Sequence, residues 1–454
     1  MKNLAPTKID PLDGTIEEAL RPGTFIAYRA CSSFVDDLEQ LVEKITAETK
    51  ADPARASQLW ETFLAGCLEK AEEIDDSSGM FGQFVESLYG NWLQARQAAG
   101  TDTVETVSQL LSWMDDDPYG FCHHLERELV EVFDPGGLAE FASQIRRCYE
   151  AAVSTKTSMR KLGVDHHNLR LRRLEEILRV VYFKQADLPA YLDLTERTKL
   201  TAPDCHAIAT MLRSAGELDQ ALTWVERGTA IESKAAHSSM AEFDLERLRR
   251  DLLAQLGREN EALDLAWQAF CRHPGSCTYE DLIEIVPETE RSAWHEKAIQ
   301  AAKEADIRSH LELLLKTGEF ERLAELVRRT DDAALEELSH YSTQPVGEQL
   351  EKTHPDLAAR LWCAQGMRIL DAGKSKYYDA AVANFEHAKQ CFEMAGLSAN
   401  WTLMVNRVRT VHRRKLGFMS QFEELVAGRG PSSKPSFLER ARAKWGHQRK
   451  GGTM

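Results

Sequence analysis

The residues best suited to chemistry crowd into one short stretch of this chain. From Asp115 to His124 it holds three carboxylates (Asp115, Asp116, Asp117), the Cys122 thiol and the His123 and His124 imidazoles. Cysteine with histidine suits zinc or another transition metal. Neighbouring residues on a helix point about 100° apart, however, so Cys122, His123 and His124 do not all face one ion. A helix start accounts for the same residues, with Asp at the cap, Pro118 in the first turn and carboxylates favoured by the N-terminal dipole. The helix start is the preferred reading.

Other patterns fall short of a site. Asp75-Asp76-Ser77-Ser78-Gly79, with Glu86 eleven residues after Asp75, has the outline of a calcium loop. Met80 stands where that loop needs its glycine, so an interhelical turn with capping Asp and Ser is expected. His295-Glu296 opens a His-Glu-x-x-His pattern whose fifth position is Ile299, which reads as a solvated helix face. His166-His167 is a candidate ligand pair whose adjacency argues against a shared ion. Gly373-Lys374-Ser375 ends like a phosphate-binding loop, but Arg368 occupies the first glycine position. No Gly-x-Ser-x-Gly elbow occurs. The chain is therefore read as non-catalytic, with no metal and no cofactor assigned.

The elements around these residues are helical. Leu218, Ala221, Leu222 and Val225 follow the i, i+3, i+4, i+7 spacing of one helix face, and Leu245, Leu248, Leu252 and Leu256 repeat every turn. Pro53, Pro118, Pro135, Pro189, Pro203, Pro274, Pro287, Pro345 and Pro355 fall between periodic segments, and Asp52 and Asp204 beside two of them could cap helix starts. Eight tryptophans, among them Trp60, Trp92 and Trp362, lie in helix-like segments and read as core.

Repeats are the strongest signal. A tetratricopeptide-type hairpin places small residues where its second helix meets a neighbour closely. Ala262, Ala266, Ala269 and Pro274 match that spacing, as do Ala381, Phe385 and Ala388, and more loosely Ala221, Val225 and Gly228. Residues 316–329, KTGEFERLAELVRR, look like a degenerate copy. The expected fold is all-α: a right-handed helical-hairpin, tetratricopeptide-like solenoid with an N-terminal helical domain. The Ser/Thr-rich stretch AAVSTKTSMR suggests boundaries of 1–152 for the N-terminal domain and 153–427 for the repeats, with 428–454 a basic tail carrying a short helix.

Thr24-Phe25-Ile26-Ala27-Tyr28-Arg29, then Ala71 through Gly79, then His412-Arg413-Arg414-Lys415 with Phe418-Met419 form a spaced set. This set resembles the helical-repeat region of uncharacterised bacterial SWIM-type zinc-finger proteins. Their finger needs Cys-x-Cys followed by Cys-x-His. Here Cys-x-Cys occurs nowhere, and Cys122-His123-His124 has no upstream pair. The resemblance implies the repeat region alone, without zinc, and supplies no catalytic residues.

Composition sets the remaining bounds. The 454 residues carry a net charge of −16, with 43% hydrophobic and 28% charged residues, which is ordinary for a globular protein and excludes disorder as the main state. No apolar run approaches the roughly 20 residues of a membrane span, and no apolar leader is visible. Nine scattered cysteines without Cys-x-x-Cys read mostly as small buried hydrophobes, so a cytoplasmic location is expected.

Charge is uneven. Residues 401–454 hold twelve basic against three acidic residues, a surplus of nine that leaves −25 on the first 400. Arg407, Arg409, Arg413, Arg414, Lys415, Arg440, Arg442, Lys444, Arg449 and Lys450, with Trp445 able to stack on a base, could contact nucleic acid or an acidic partner surface. A smaller basic cluster spans Lys156, Arg160, Lys161, Arg170, Arg172, Arg173 and Arg179. The expected function is a protein-interaction scaffold or adaptor. The alternative is a nucleic-acid accessory protein using the basic C-terminal segment, and a metal-dependent enzyme ranks third.

Overall fold

The computed structural model describes residues 11–159, 165–234, 240–304 and 306–428. These form 23 α-helices, and the one extended pairing among the described residues is a parallel bridge between Ile26 and Ile74. No helix is long and apolar enough to cross a membrane. The chain divides into two compact units, Met1–Leu256 and Gly257–Met454.

The first unit opens with α1 (Pro11–Ala19), α2 (Tyr28–Ala51), α3 (Pro53–Lys70) and α4 (Met80–Ala98). It continues with α5 (Thr103–Asp115), α6 (Leu125–Val132), α7 (Pro135–Met159) and α8 (Asp165–Lys184). It closes with α9 (Leu188–Arg197), α10 (Ala202–Ser214), α11 (Leu218–Glu232) and α12 (Met240–Gln255). The second unit begins with α13 (Glu259–Arg272), α14 (Ser276–Ile285), α15 (Arg291–Ala302), α16 (Ile307–Thr317) and α17 (Phe320–Arg329). It ends with α18 (Asp332–Glu337), α19 (His340–Leu350), α20 (Pro355–Asp371), α21 (Tyr378–Met394), α22 (Ser398–Val411) and α23 (Leu416–Val426).

The hairpin reading holds where the small residues predicted it. Helices α10 and α11 pack together, and so do α16 with α17 and α20 with α21. Ala221, Val225, Ala262, Ala266, Ala381, Phe385 and Ala388 are all fully buried. Two glycines mark close approaches within these hairpins. A Cβ on Gly228 would lie 2.8 Å from the Cys205 Cβ, and one on Gly366 would lie 2.7 Å from the Phe385 ring. In the second unit the core runs through Phe270, Leu314, Val327, Trp362 and Phe392.

One turn recurs between these helices. Gly216, Gly318 and Gly396 sit at φ of +82°, +74° and +69°. In each case the next amide donates back five positions: Glu217 N–H to Leu212 O, Glu319 N–H to Leu314 O and Leu397 N–H to Phe392 O, at 2.8–2.9 Å. This left-handed cap satisfies carbonyls that a helix end leaves bare. The α8–α9 turn has the same bond, from Asp187 N–H to Tyr182 O at 2.9 Å, but Ala186 holds the left-handed position at φ +51°.

Helix starts are also legible. Pro53, Pro135, Pro189, Pro203 and Pro355 all lie in first turns, where a missing N–H costs nothing. Asp52 caps α3 by accepting from Arg55 N at 3.0 Å. Asp204 is not the cap residue of α10; Thr201 is, and Asp204 completes a capping box from the third position. Pro345 does not separate helices but lies inside α19. Its ring leaves the Tyr341 carbonyl without a helical donor at that turn, where the Tyr341 side chain is 81% exposed.

The two compact units divide at 256/257. Helix α7 runs unbroken through residue 152, and Ser154 turns its hydroxyl back onto the Glu150 carbonyl at 2.8 Å, so it sits in the helix without breaking it. Helix α8 then packs on α7 and pairs with earlier helices, through Arg170 to Asp115 at 2.9 Å and Lys184 to Glu131 at 2.5 Å. Most cysteines are buried as expected, while Cys271 and Cys277 are exposed.

Candidate functional site

The Asp115–His124 stretch does not form a metal centre. It is a turn between α5 and α6 and not the expected helix start. Asp117 folds the turn by accepting from Phe121 N at 3.0 Å and Cys122 N at 2.6 Å. That turn sends Cys122 inward, where burial pushes its thiol up to about 12. His123 and His124 stay on the surface with their rings 4.3 Å apart. Thiol and imidazoles therefore point to opposite sides of the turn.

The calcium-like pattern is a capping turn, as expected. Asp76 accepts from Phe81 N at 2.9 Å and Gly82 N at 2.8 Å at the start of α4, while Asp75 takes the Ser77 hydroxyl. The neighbouring segment is latched to the N-terminal loop. Lys70, 2% exposed, donates to the carbonyls of Arg21 at 3.0 Å and Thr24 at 2.8 Å and pairs with Glu73 at 2.6 Å. Ile26 bridges Ile74, so the segments 24–29 and 71–79 meet, with Phe25 and Tyr28 displayed on the surface. His166 and His167 begin α8, and their side chains lie outside those described. Gly373-Lys374-Ser375 is the turn after α20.

His295 and Glu296 acquire a third neighbour that spacing did not reveal. With Glu319 at the start of α17 they bring one ligand atom each within 4.8 Å. Each is already engaged by the protein. Tyr279 lies 2.7 Å from His295 Nδ1, Glu319 lies 2.9 Å from Nε2, and Arg322 donates to both Glu296 oxygens at 2.9 and 3.0 Å. The arrangement braces α14, α15 and α17, with the guanidinium supplying the positive charge.

A concave surface lies in the first unit. A cleft of about 710 Å³ opens among α6, α8 and the α9–α10 junction. Its floor is a closed ionic network. Buried Asp204 accepts from Arg179 Nε at 2.7 Å, Tyr191 Oη at 3.0 Å, Thr201 N at 2.9 Å and Thr201 Oγ1 at 2.7 Å. Burial, then the Asp204 charge, pushes the Tyr191 phenol well up, so it stays a donor. Buried Glu126 is held by Arg173, which also reaches the Cys122 carbonyl at 2.8 Å. Burial and the neighbouring His123 and Arg127 lower His124 from the usual imidazole range.

The cleft walls are different. Arg127, Arg172 and Lys199 line it and are exposed, with no ion pair to any described residue. Phe183, 42% exposed, stands at the other end of α8 beside Val180. Of the basic cluster read from sequence, Arg170, Arg173 and Arg179 are engaged in ion pairs and Arg172 faces the cleft. Sequence reasoning missed Arg127 and Lys199, which lie 72 positions apart and meet only through the packing of α6 and α10 on α8.

The C-terminal cations divide. Arg407 is clamped by Glu336 at 2.5 and 2.9 Å, and Arg409 by Glu423 at 2.8 and 2.6 Å. Arg413 and Arg414 are exposed and Lys415 is half-buried. Arg440, Arg442, Lys444, Trp445, Arg449 and Lys450 lie outside the described residues.

A family model described as a family of unknown function, DUF6880, matches residues 15–421. No curated protein matches the chain. Among solved structures, one titled "Structure of Naa15/Naa10 bound to HypK-THB" is 12% identical, with 97% of this chain and 72% of that one covered and a TM-score of 0.33. A second, titled "Circular tandem repeat protein with novel repeat topology and enhanced subunit contact surfaces", is 15% identical, covers 97% of both chains and has a TM-score of 0.18. The fold assignment rests on this chain's own hairpins and not on these two likenesses. Neither the family model nor these two structures names a SWIM-type zinc-finger protein.

Proposed function

We propose that this chain, which belongs to the family of unknown function DUF6880, is a non-catalytic scaffold that seats a partner protein in the cleft beside α8. One observation carries the reading. The acids on the cleft floor are consumed by internal bonds, while cations and an aromatic ring on its walls are left exposed. A surface that combines an apolar anchor with polar groups on rigid helices suits recognition. Stacked helical hairpins commonly present such extended surfaces.

A photo-crosslinking amino acid in place of Phe183 tests this in growing cells. The expected result is a discrete adduct to one or a few proteins, missing when the same probe replaces Tyr341 in the second unit. Equal adducts at both positions, or none at Phe183, would overturn the proposal.

A further inference from the structure

The scaffold reading leaves the partner's chemistry open, and the cleft walls narrow it. We infer that the cleft takes an extended, acid-rich segment of a partner protein, with carboxylates against Arg127, Arg172 and Lys199 and a large apolar side chain against Phe183. This rests on the proposed scaffold role of the same cleft.

Charge complementarity is the first argument. The chain as a whole carries −16, and many of its arginines are spent on internal carboxylates, including Arg170, Arg173 and Arg179 on α8 itself. Three cations without a described ion-pair partner nevertheless converge on one cleft. Glu126 and Asp204, the buried acids of that cleft, are already occupied, and the three cations outnumber its two remaining carboxylates, Glu175 and Glu176. An incoming carboxylate meets guanidinium and ammonium groups that need not leave another partner first, and charge-assisted bonds are the strong ones.

Spacing is the second argument. Arg172 and Phe183 lie eleven residues apart on one helix. At a rise of about 1.5 Å per residue, that is roughly 16 Å along α8. An extended chain advances about 3.3 Å per residue, so roughly five residues separate the carboxylate from the apolar side chain. Glu175 and Glu176 also face the cleft, from between those two anchors. They repel a continuous acidic run and favour carboxylates grouped at one end. They also disfavour a nucleic-acid backbone, whose phosphates are evenly spaced.

The test uses the full chain and a fluorescein-labelled peptide with an Asp-Glu pair five residues before a phenylalanine, in a Gly-Ser background. Fluorescence anisotropy should show binding that weakens with salt and falls about tenfold or more in the double variant Arg172→Glu, Lys199→Glu. The same peptide with Lys-Lys for Asp-Glu should bind the double variant better than the parent chain. Circular dichroism confirms that the variant is folded. The inference is overturned if the acidic peptide fails to bind at about 1 mM, the weak end of useful affinity. It is also overturned if the acidic peptide binds no better than its lysine version, or if a single-stranded oligothymidine binds through the same two residues. Photo-adducts at Phe183 that survive the charge reversal would remove the acid-rich partner and leave the scaffold standing. Loss of all adducts from the parent chain would remove the scaffold itself.

Discussion

Replacing Gly228 with alanine sets two effects of similar size against each other. Gly228 lies inside α11, where alanine is favoured by roughly 1 kcal/mol on helix propensity. The added methyl would stand 2.8 Å from Cys205 Cβ and 2.9 Å from a Leu245 methyl. Leu245 can rotate away, but the Cys205 Cβ moves only with the α10 backbone. Reaching ordinary carbon–carbon separation, about 3.5–4.0 Å, requires α10 and α11 to part by the better part of an ångström. Overpacking of this kind costs about 1–3 kcal/mol. The steric cost is the larger over most of that range, and the net expectation is a loss of up to about 2 kcal/mol. Global unfolding of a two-unit chain gives no single stability, so a local readout is needed. Amide hydrogen exchange followed by mass spectrometry supplies one. Peptides from α10 and α11 should exchange faster, by up to roughly 30-fold, since each 1.4 kcal/mol is tenfold, while α21 stays unchanged as an internal control. A Cys205→Ala companion should not rescue the defect, because alanine keeps the offending Cβ. Slower exchange in α11 would refute the reasoning, since propensity would then outweigh the close approach.

Other expectations follow from the same geometry. Ala186→Gly relieves a left-handed alanine and should stabilise the α8–α9 turn by about 0.5–1 kcal/mol, seen as slower exchange of amides 182–190. Asp204→Ala strands Arg179 and Tyr191 beside a buried site and should cost about 3 kcal/mol, read as a lower urea midpoint for the first unit. Burial, with the charges of Arg329 and Lys303, holds the His310 imidazole below its usual range. The unfolded chain therefore takes up that proton first, so the stability His310 contributes is present above about pH 6.5 and lost as pH falls. Melting temperature should drop between about pH 7.5 and 5.5, and His310→Gln should flatten that drop. Iodoacetamide on the native chain should modify Cys271 and Cys277 before Cys122, whose thiol is pushed up to about 12; early modification of Cys122 would contradict its burial.

Local rules were readable wherever a residue's role depends on its near neighbours. Gly228 and Ala266 announced close helix contacts because hairpin packing demands small residues at a fixed offset. Asp52 announced a cap because only a short acceptor serves there. The hidden features depend on distant partners. Pro345 reads as a breaker in sequence, yet sits in a helix whose exposed turn tolerates the lost bond. The Asp115–His124 run reads as a helix start until Asp117 is seen to close a turn on Phe121 and Cys122. The cleft was half visible as basic residues on α8, but its opposite walls come from Arg127 and Lys199. No sequence period links those two, because what joins them is the packing of separate helices.

The Lys70 latch also bears on the order in which the chain is made. Residues 21–27 are fixed by Lys70, Glu73 and Ile74, about fifty positions downstream. At a synthesis rate of roughly 5–20 residues per second, the loop carrying Phe25 and Tyr28 emerges roughly 3–10 s before anything exists to fasten it. Until the α3 terminus and the segment after it are made, the loop carrying Phe25 lacks the partners that fix it beside α2.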